Sequence, residues 1–168
     1  MLVIRPCLET DFDAILAIIN SAASAYRGII PQDCWHEPYM SSAALASEIA
    51  AGVVFSGYET ASQLVGVMGI QRVRDASLIR HAYVLPAWQR HRVGTALIKH
   101  LLAADSAARF LVGTWAAAEW AVNFYRRHGF VQVDPELKTR LLKSYWTVPE
   151  RQIEASVVLT SGTLAAWS

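Results

Sequence analysis

The chain has 168 residues, a formal net charge of +1 and a sequence pI near 7.8. That length suits one domain, and the charge is too balanced for a general nucleic-acid or membrane-surface binder. Apolar residues make up 54% and charged residues only 17%, which points to a large core, a subunit interface or both.

Leu2 to Arg5 reads as a short strand ended by Pro6. Glu9, Thr10 and Asp11 offer N-cap chemistry to an amphipathic helix over 11–22, where Phe12, Ile15, Leu16, Ile18 and Ile19 recur at helical spacing. Residues 23–40 hold Gly28, Pro31 and Pro38 and read as an aromatic loop with one helical turn. Ser41 and Ser42 cap a second helix through Ala51. Three strands follow at 52–58, 63–73 and 76–85, joined by turns at 59–62 and 74–75. Such short connections predict an antiparallel meander.

A strong helix is predicted over 93–104, with Val93, Ala96, Leu97, His100 and Leu101 on one face. Then come a short apolar strand at 110–114, a helix at 116–127 closed by Gly129, and a strand at 130–133. A helix at 135–145, a strand at 152–159 and a loose tail complete the chain. Strand, helix and strand at 76–85, 93–104 and 110–114 predict one parallel β-α-β unit with a right-handed crossover. The fold class expected is mixed α/β, with a mostly antiparallel central sheet and helices on both faces. One domain is expected over residues 1–160, with a tail at 161–168.

Cys7 and Cys34 show no metal-ligand spacing and make no disulfide framework. No basic segment leads into a long apolar run at the N-terminus, and no apolar stretch approaches about 20 residues. The expected compartment is the reducing cytoplasm.

The chemistry concentrates in LIRHAYVLPAWQRHRVGTALI, residues 78–98. A strand ends at Leu85-Pro86 and a helix starts beside Arg92, Val93 and Gly94. The N–H groups of a helix's first turn lack intrahelical partners and sit at the positive end of the dipole, so they suit a phosphate. Gly94 and Thr95 keep the turn small, while Gln89, Arg90, His91 and Arg92 add polar donors. A solvated basic turn would carry the same residues.

This stretch resembles the acetyl-CoA signature of the GNAT acetyltransferases, Gln/Arg-x-x-Gly-x-Gly/Ala. Gln89 stands at the first position and Gly94 at the last, while Arg92 replaces the middle glycine. A second block, AAAEWAVNFYRRHGFV from Ala116, resembles the family's helix ending in Tyr-x-x-x-Gly-Phe, here Tyr125, Gly129 and Phe130. An asparagine common earlier on that helix would fall at Ala118, so its coenzyme contact is missing.

The resemblance implies acetyl-CoA as cosubstrate, no metal, and Tyr125 as the acid for the departing thiolate. It implies that the strand pairs with the pantetheine arm through the backbone of Ala82, Val84 and Leu85. His81 is a candidate base by its ordinary pKa, sharing a strand face with Tyr83 and opposite Arg80; a water-mediated route needs no base. Tyr26, Arg27, Trp35, His36, Glu37 and Tyr39 are candidate acceptor-lining residues by position, with Trp115 near the thioester. Trp120 reads as helix packing, and Tyr145 and Trp146 as a dimer contact or a pocket cover. The function expected is transfer of an acetyl group to the primary amine of a small molecule. Alternatives are a protein N-terminal or lysine acetyltransferase, or a catalytically silent CoA-binding module. No nucleic-acid or membrane partner is expected; a homodimer is.

Overall fold

A computed structural model describes residues 2–107 and 109–161. The expected tail lies, from residue 162 onward, outside the described residues. Among the described residues, seven strands form a mixed sheet of order β1-β2-β3-β4-β5-β7-β6 with one parallel pair, accompanied by six helices. The expected fold class is thus the observed one. The described residues divide into two compact units, 2–25, 36–72 and 79–106 in the first, 26–35, 73–78, 107 and 109–161 in the second.

The first unit contains β1 (Leu2–Pro6), α1 (Phe12–Ala23), α2 (Ser42–Ala50), β2 (Val54–Thr60), β3 (Gln63–Val73), most of β4 (Ala76–Val84) and α3 (Val93–Ala104). Strands β1, β2 and β3 are antiparallel neighbours, with Ile4 opposite Tyr58 and Phe55 opposite Gly69. The turn between β2 and β3 closes on Ala61 and Ser62, both left-handed. It is tighter than the 59–62 turn read from sequence, because β2 runs on to Thr60. The apolar stripe of α1 does what its spacing predicts: Ile15, Ile18 and Ile19 pack with Leu45 of α2 and with Phe55 and Val67 of the sheet. Ser41 caps α2 by accepting from the Ala44 N–H at 3.0 Å. On α3, His100 is exposed rather than on the apolar face, and Val93, Leu97, Ile98 and Leu101 are the buried set.

The second unit holds the start of β4, β5 (Phe110–Trp115), α4 (Glu119–Arg127), β6 (Val131–Gln132), α5 (Pro135–Tyr145), α6 (Glu150–Glu154) and β7 (Ser156–Ser161). The Ser77 N–H donates to the Arg109 carbonyl at 2.9 Å. β7 lies antiparallel between β5 and β6. Its core joins Leu78, Leu111, Val133, Leu141, Leu142, Ile153 and Val158. The strand predicted at 152–159 is displaced. Pro149 sets the N-cap of a short helix, α6, whose Ile153 is buried, and the strand begins only at Ser156. The helix predicted from residue 116 begins at Glu119, since the Ala118 N–H closes a turn onto the Trp115 carbonyl at 3.0 Å.

Candidate active site

In the first unit, β4 leads through a single 3-10 turn, Pro86–Trp88, and residues 89–92 into α3. Two residues of this connection, Arg90 (φ +66°) and Arg92 (φ +62°), take the left-handed conformation. That conformation costs a non-glycine residue about 1–2 kcal/mol. Arg92 stands where the motif has its middle glycine, and it takes a backbone conformation that suits glycine. The positive φ is one that glycine adopts freely, so arginine at this position carries a backbone cost.

No side chain caps α3 at Arg92, as none caps α1, α4 or α6, whereas Ser41 and Asp134 cap α2 and α5. The N–H groups of Val93, Gly94 and Thr95 therefore face the loop as a set of donors at the positive end of the helix. Gln89, Arg90, His91 and Arg92 are exposed around them, and Trp88 packs against the His91 ring at 5.7 Å. The helix start is held close to the sheet: a Cβ on Gly66 of β3 would meet Val93 Cγ1 at 2.6 Å.

At the end of β4, Ala82, Tyr83, Val84 and Leu85 are half-buried. Their backbone is partly engaged. The Leu85 N–H donates to the Val65 carbonyl at 2.9 Å, and the Val84 carbonyl accepts from Gln89 Nε2 at 3.3 Å. The Leu85 carbonyl in turn accepts from the Trp88 N–H at 2.8 Å, so both backbone groups of Leu85 are engaged within the chain. Tyr83 packs against the core of the first unit.

His81 departs from the strand pattern. Its φ is +54°, so the alternation that put Arg80 and His81 on opposite faces is broken. Both side chains reach Glu48 of α2: His81 Nε2 lies 3.0 Å from Oε2, and Arg80 Nη2 is 2.8 Å from the same oxygen. Arg80 also donates to Gln71 Oε1 at 2.8 Å, and Gln71 donates to the Ala51 carbonyl. The His81 ring lies stacked 6.1 Å from Phe55. The irregularity depends on Gly69, whose missing Cβ leaves room for the Arg80 carbonyl; a Cβ there would sit 2.9 Å from that oxygen. Burial pushes Glu48 up, but the hydrogen bond from His81 and the Arg80 charge more than offset it, so its carboxyl lies below the ordinary value. The sequence reading missed Glu48. Its one signal was being the sole acidic residue of α2, and its partners are more than thirty residues away.

In the second unit, Tyr125 sits near the end of α4, 6% exposed, edge-on to Phe124 and Phe130. Burial first, and then Tyr26, hold its phenol well above the ordinary tyrosine value. Tyr26 is buried and stacks on Trp120 at 5.9 Å, while Trp120 itself is 46% exposed. Trp120 is therefore not simple helix packing. Arg27 is exposed and lies 5.4 Å over the Trp35 ring. Trp115 is buried at the end of β5 opposite Ser156. Tyr145 donates to Asp75 at 2.6 Å, Trp146 packs against the core of the second unit, and both are half-buried. Glu37, His36 and Tyr39 belong to the first unit; Glu37 and His36 are exposed and Tyr39 is half-buried. The loop they lie on is fastened at its end by Asn20, which exchanges two hydrogen bonds with the Met40 backbone. Among the described residues no group of three or more His, Cys, Asp or Glu could hold a metal ion.

A mixed sheet with one parallel pair, leading through a left-handed loop into a helix with no side-chain cap, defines an α/β protein. The sequence matches the acetyltransferase (GNAT) domain family over residues 20–143, and the chain belongs to that family. Among solved structures it is similar to the PaiA N-acetyltransferase of Thermoplasma acidophilum in complex with coenzyme A. There the identity is 16% and the TM-score 0.71, with 97% of this chain and 99% of that one covered. It is also similar to the ribosomal-protein-S18-alanine N-acetyltransferase of Escherichia coli, at 18% identity and a TM-score of 0.69, covering 96% and 93%. N-acetylglutamate synthase of Neisseria gonorrhoeae, complexed with coenzyme A and N-acetyl-glutamate, matches at 20% identity and a TM-score of 0.65, covering 96% of this chain and 35% of that one. At these identities the likeness is one of fold. No curated protein matches the sequence.

Proposed function

We propose that this protein transfers an acetyl group from acetyl-CoA to the primary amine of a small molecule, by direct attack in a ternary complex. The observation that carries the reading is the left-handed Arg92 at the glycine position of the motif, immediately before the uncapped start of α3. Family membership over residues 20–143 supports it. In this reading one catalytic domain spans residues 1–160, works in the cytoplasm and pairs as a homodimer.

Gln89 to Thr95 hold the diphosphate through backbone N–H groups and the guanidinium of Arg90 or Arg92. Ala82 and Val84 offer backbone groups to the pantetheine arm. The bound thioester supplies the acyl group. Tyr125 keeps its proton throughout the working pH range, because burial resists its ionisation, and so can donate to a thiolate whose acid has a pKa of about 8.5. His81 is the proton acceptor for the amine, with Tyr83 beside it on the strand. Tyr26, Arg27, Trp35, Glu37 and Trp115 form the acceptor side. Exposed Glu37 suits a cationic acceptor and Arg27 a carboxylate.

The test is thiol release from acetyl-CoA with a panel of small amines and free-N-terminal peptides, beside calorimetry with CoA. Turnover on a small amine is expected. Turnover on peptides alone would move the acceptor class to protein N-termini. Absence of any heat from CoA at millimolar concentration would remove the transferase assignment.

A further inference from the structure

His81 is tied down at one ring nitrogen and open at the other. Nε2 lies 3.0 Å from Glu48 Oε2. Nδ1 has no partner among the described residues, and no buried side-chain nitrogen or oxygen there lacks one, so Nδ1 is open to solvent. The side chain as a whole is only 14% exposed. Glu48 is in turn held by Arg80, through Oε1 at 2.9 Å and Oε2 at 2.8 Å. A carboxylate can only accept, so the proton in the short contact belongs to Nε2. In the neutral ring the other nitrogen is then a lone pair. The left-handed backbone at His81 is what brings the ring to Glu48 beside Arg80 rather than across the sheet from it.

We infer that Glu48 is a positioning residue: it fixes His81 in the Nε2–H tautomer and so presents the Nδ1 lone pair as the acceptor of the substrate ammonium's proton. The inference rests on the transferase reading above. In the step, one N–H bond of the ammonium breaks and its electron pair stays on nitrogen, giving the neutral amine that attacks. The proton goes to Nδ1, producing an imidazolium whose Nε2–H still donates to Glu48, and then leaves to solvent. Among the described residues, the charged group in contact with the ring is Glu48 from α2, itself held by Arg80 of the ring's own strand; Phe55 of β2 is neutral, as is Gln71 of β3, which holds Arg80.

Two measurements test this. The first is the 15N shift pattern of the His81 ring in the coenzyme-free wild-type protein, recorded about two pH units above the ordinary imidazole pKa of about 6.5. A protonated Nε2 and a bare Nδ1 are expected; the reverse tautomer overturns the inference without reference to activity. The second is the pH profile of kcat/KM for wild type, Glu48→Gln and His81→Gln. Loss of the adjacent carboxylate should release the Nε2–H tautomer, read by the same 15N pattern, and lower kcat at least tenfold, with CoA affinity unchanged. His81→Gln should abolish the limb, and adding Glu48→Gln to it should change nothing further. An active wild type whose Glu48→Gln variant keeps the wild-type tautomer and kcat overturns the pairing alone. A wild type that binds CoA and acetylates no amine overturns the transferase reading, and this inference with it.

Discussion

Gly69→Ala should destabilise the protein through the backbone of β4. The new Cβ would lie 2.9 Å from the Arg80 carbonyl oxygen, 2.8 Å from Val53 Cγ1 and 3.3 Å from Phe55 Cε1. Comfortable separations are about 3.5–4.0 Å, so the neighbours must yield by roughly 0.6 Å. None is the loose end of a flexible chain: one is backbone, one a β-branched methyl and one a buried ring. Overpacking of this kind costs about 1–3 kcal/mol. The reduced freedom of alanine in the unfolded chain offsets about 0.4–1 kcal/mol. A net loss of about 1.5 kcal/mol lowers Tm by about 3–6 °C at this chain length. Thermal and urea melts read it, and kcat should fall as well, since moving the Arg80 carbonyl moves His81. Gly28→Ala is the control. It meets nothing within 4 Å and carries only the penalty of φ +76°, so it should cost stability without touching the His81 pH profile. A Gly69→Ala protein that melts at or above the wild-type temperature would refute the close-approach argument.

Tyr125→Phe should lower kcat by about 10²-fold, the low end of general-acid effects, with the CoA dissociation constant unchanged; equal turnover would remove the phenol from the mechanism. At Arg92, glycine should be more stable than alanine by about 1 kcal/mol, because only glycine takes a positive φ freely. Urea midpoints of the two variants compare them directly, and a more stable alanine would contradict the left-handed loop. Asp11 is held below its ordinary value by the hydrogen bond from Arg5 and by the Leu8 N–H. A depressed carboxyl contributes stability above its unfolded pKa of about 3.9 and loses it as pH falls through the folded value. Asp11→Asn should therefore flatten the stability curve below about pH 4, as read by urea midpoints from pH 5 downward; an unchanged slope would rule the pair out. Ser41→Ala removes the cap of α2 and should cost about 1 kcal/mol, the helix that carries Glu48.

The sequence by itself determined the elements whose signals are local. The periodic stripe of α1, the cap at Ser41, the turn at Arg74-Asp75 and the strand-loop-helix around Leu85 to Val93 are all written within a few residues of one another. Local composition sufficed there because capping, periodicity and turn chemistry act over one or two turns of chain. Tertiary structure alone decided the rest. That residues 150–154 coil into a helix before β7 follows the burial of Ile153, beyond the local N-cap at Pro149. Nor does strand alternation anticipate a left-handed His81, which survives only because Gly69 on the neighbouring strand gives way and Glu48 on a distant helix holds the ring. Trp120 likewise became an exposed platform only when Tyr26 arrived beneath it. Pairings between residues tens of positions apart depend on the closed chain, and a linear reading carries no term for them.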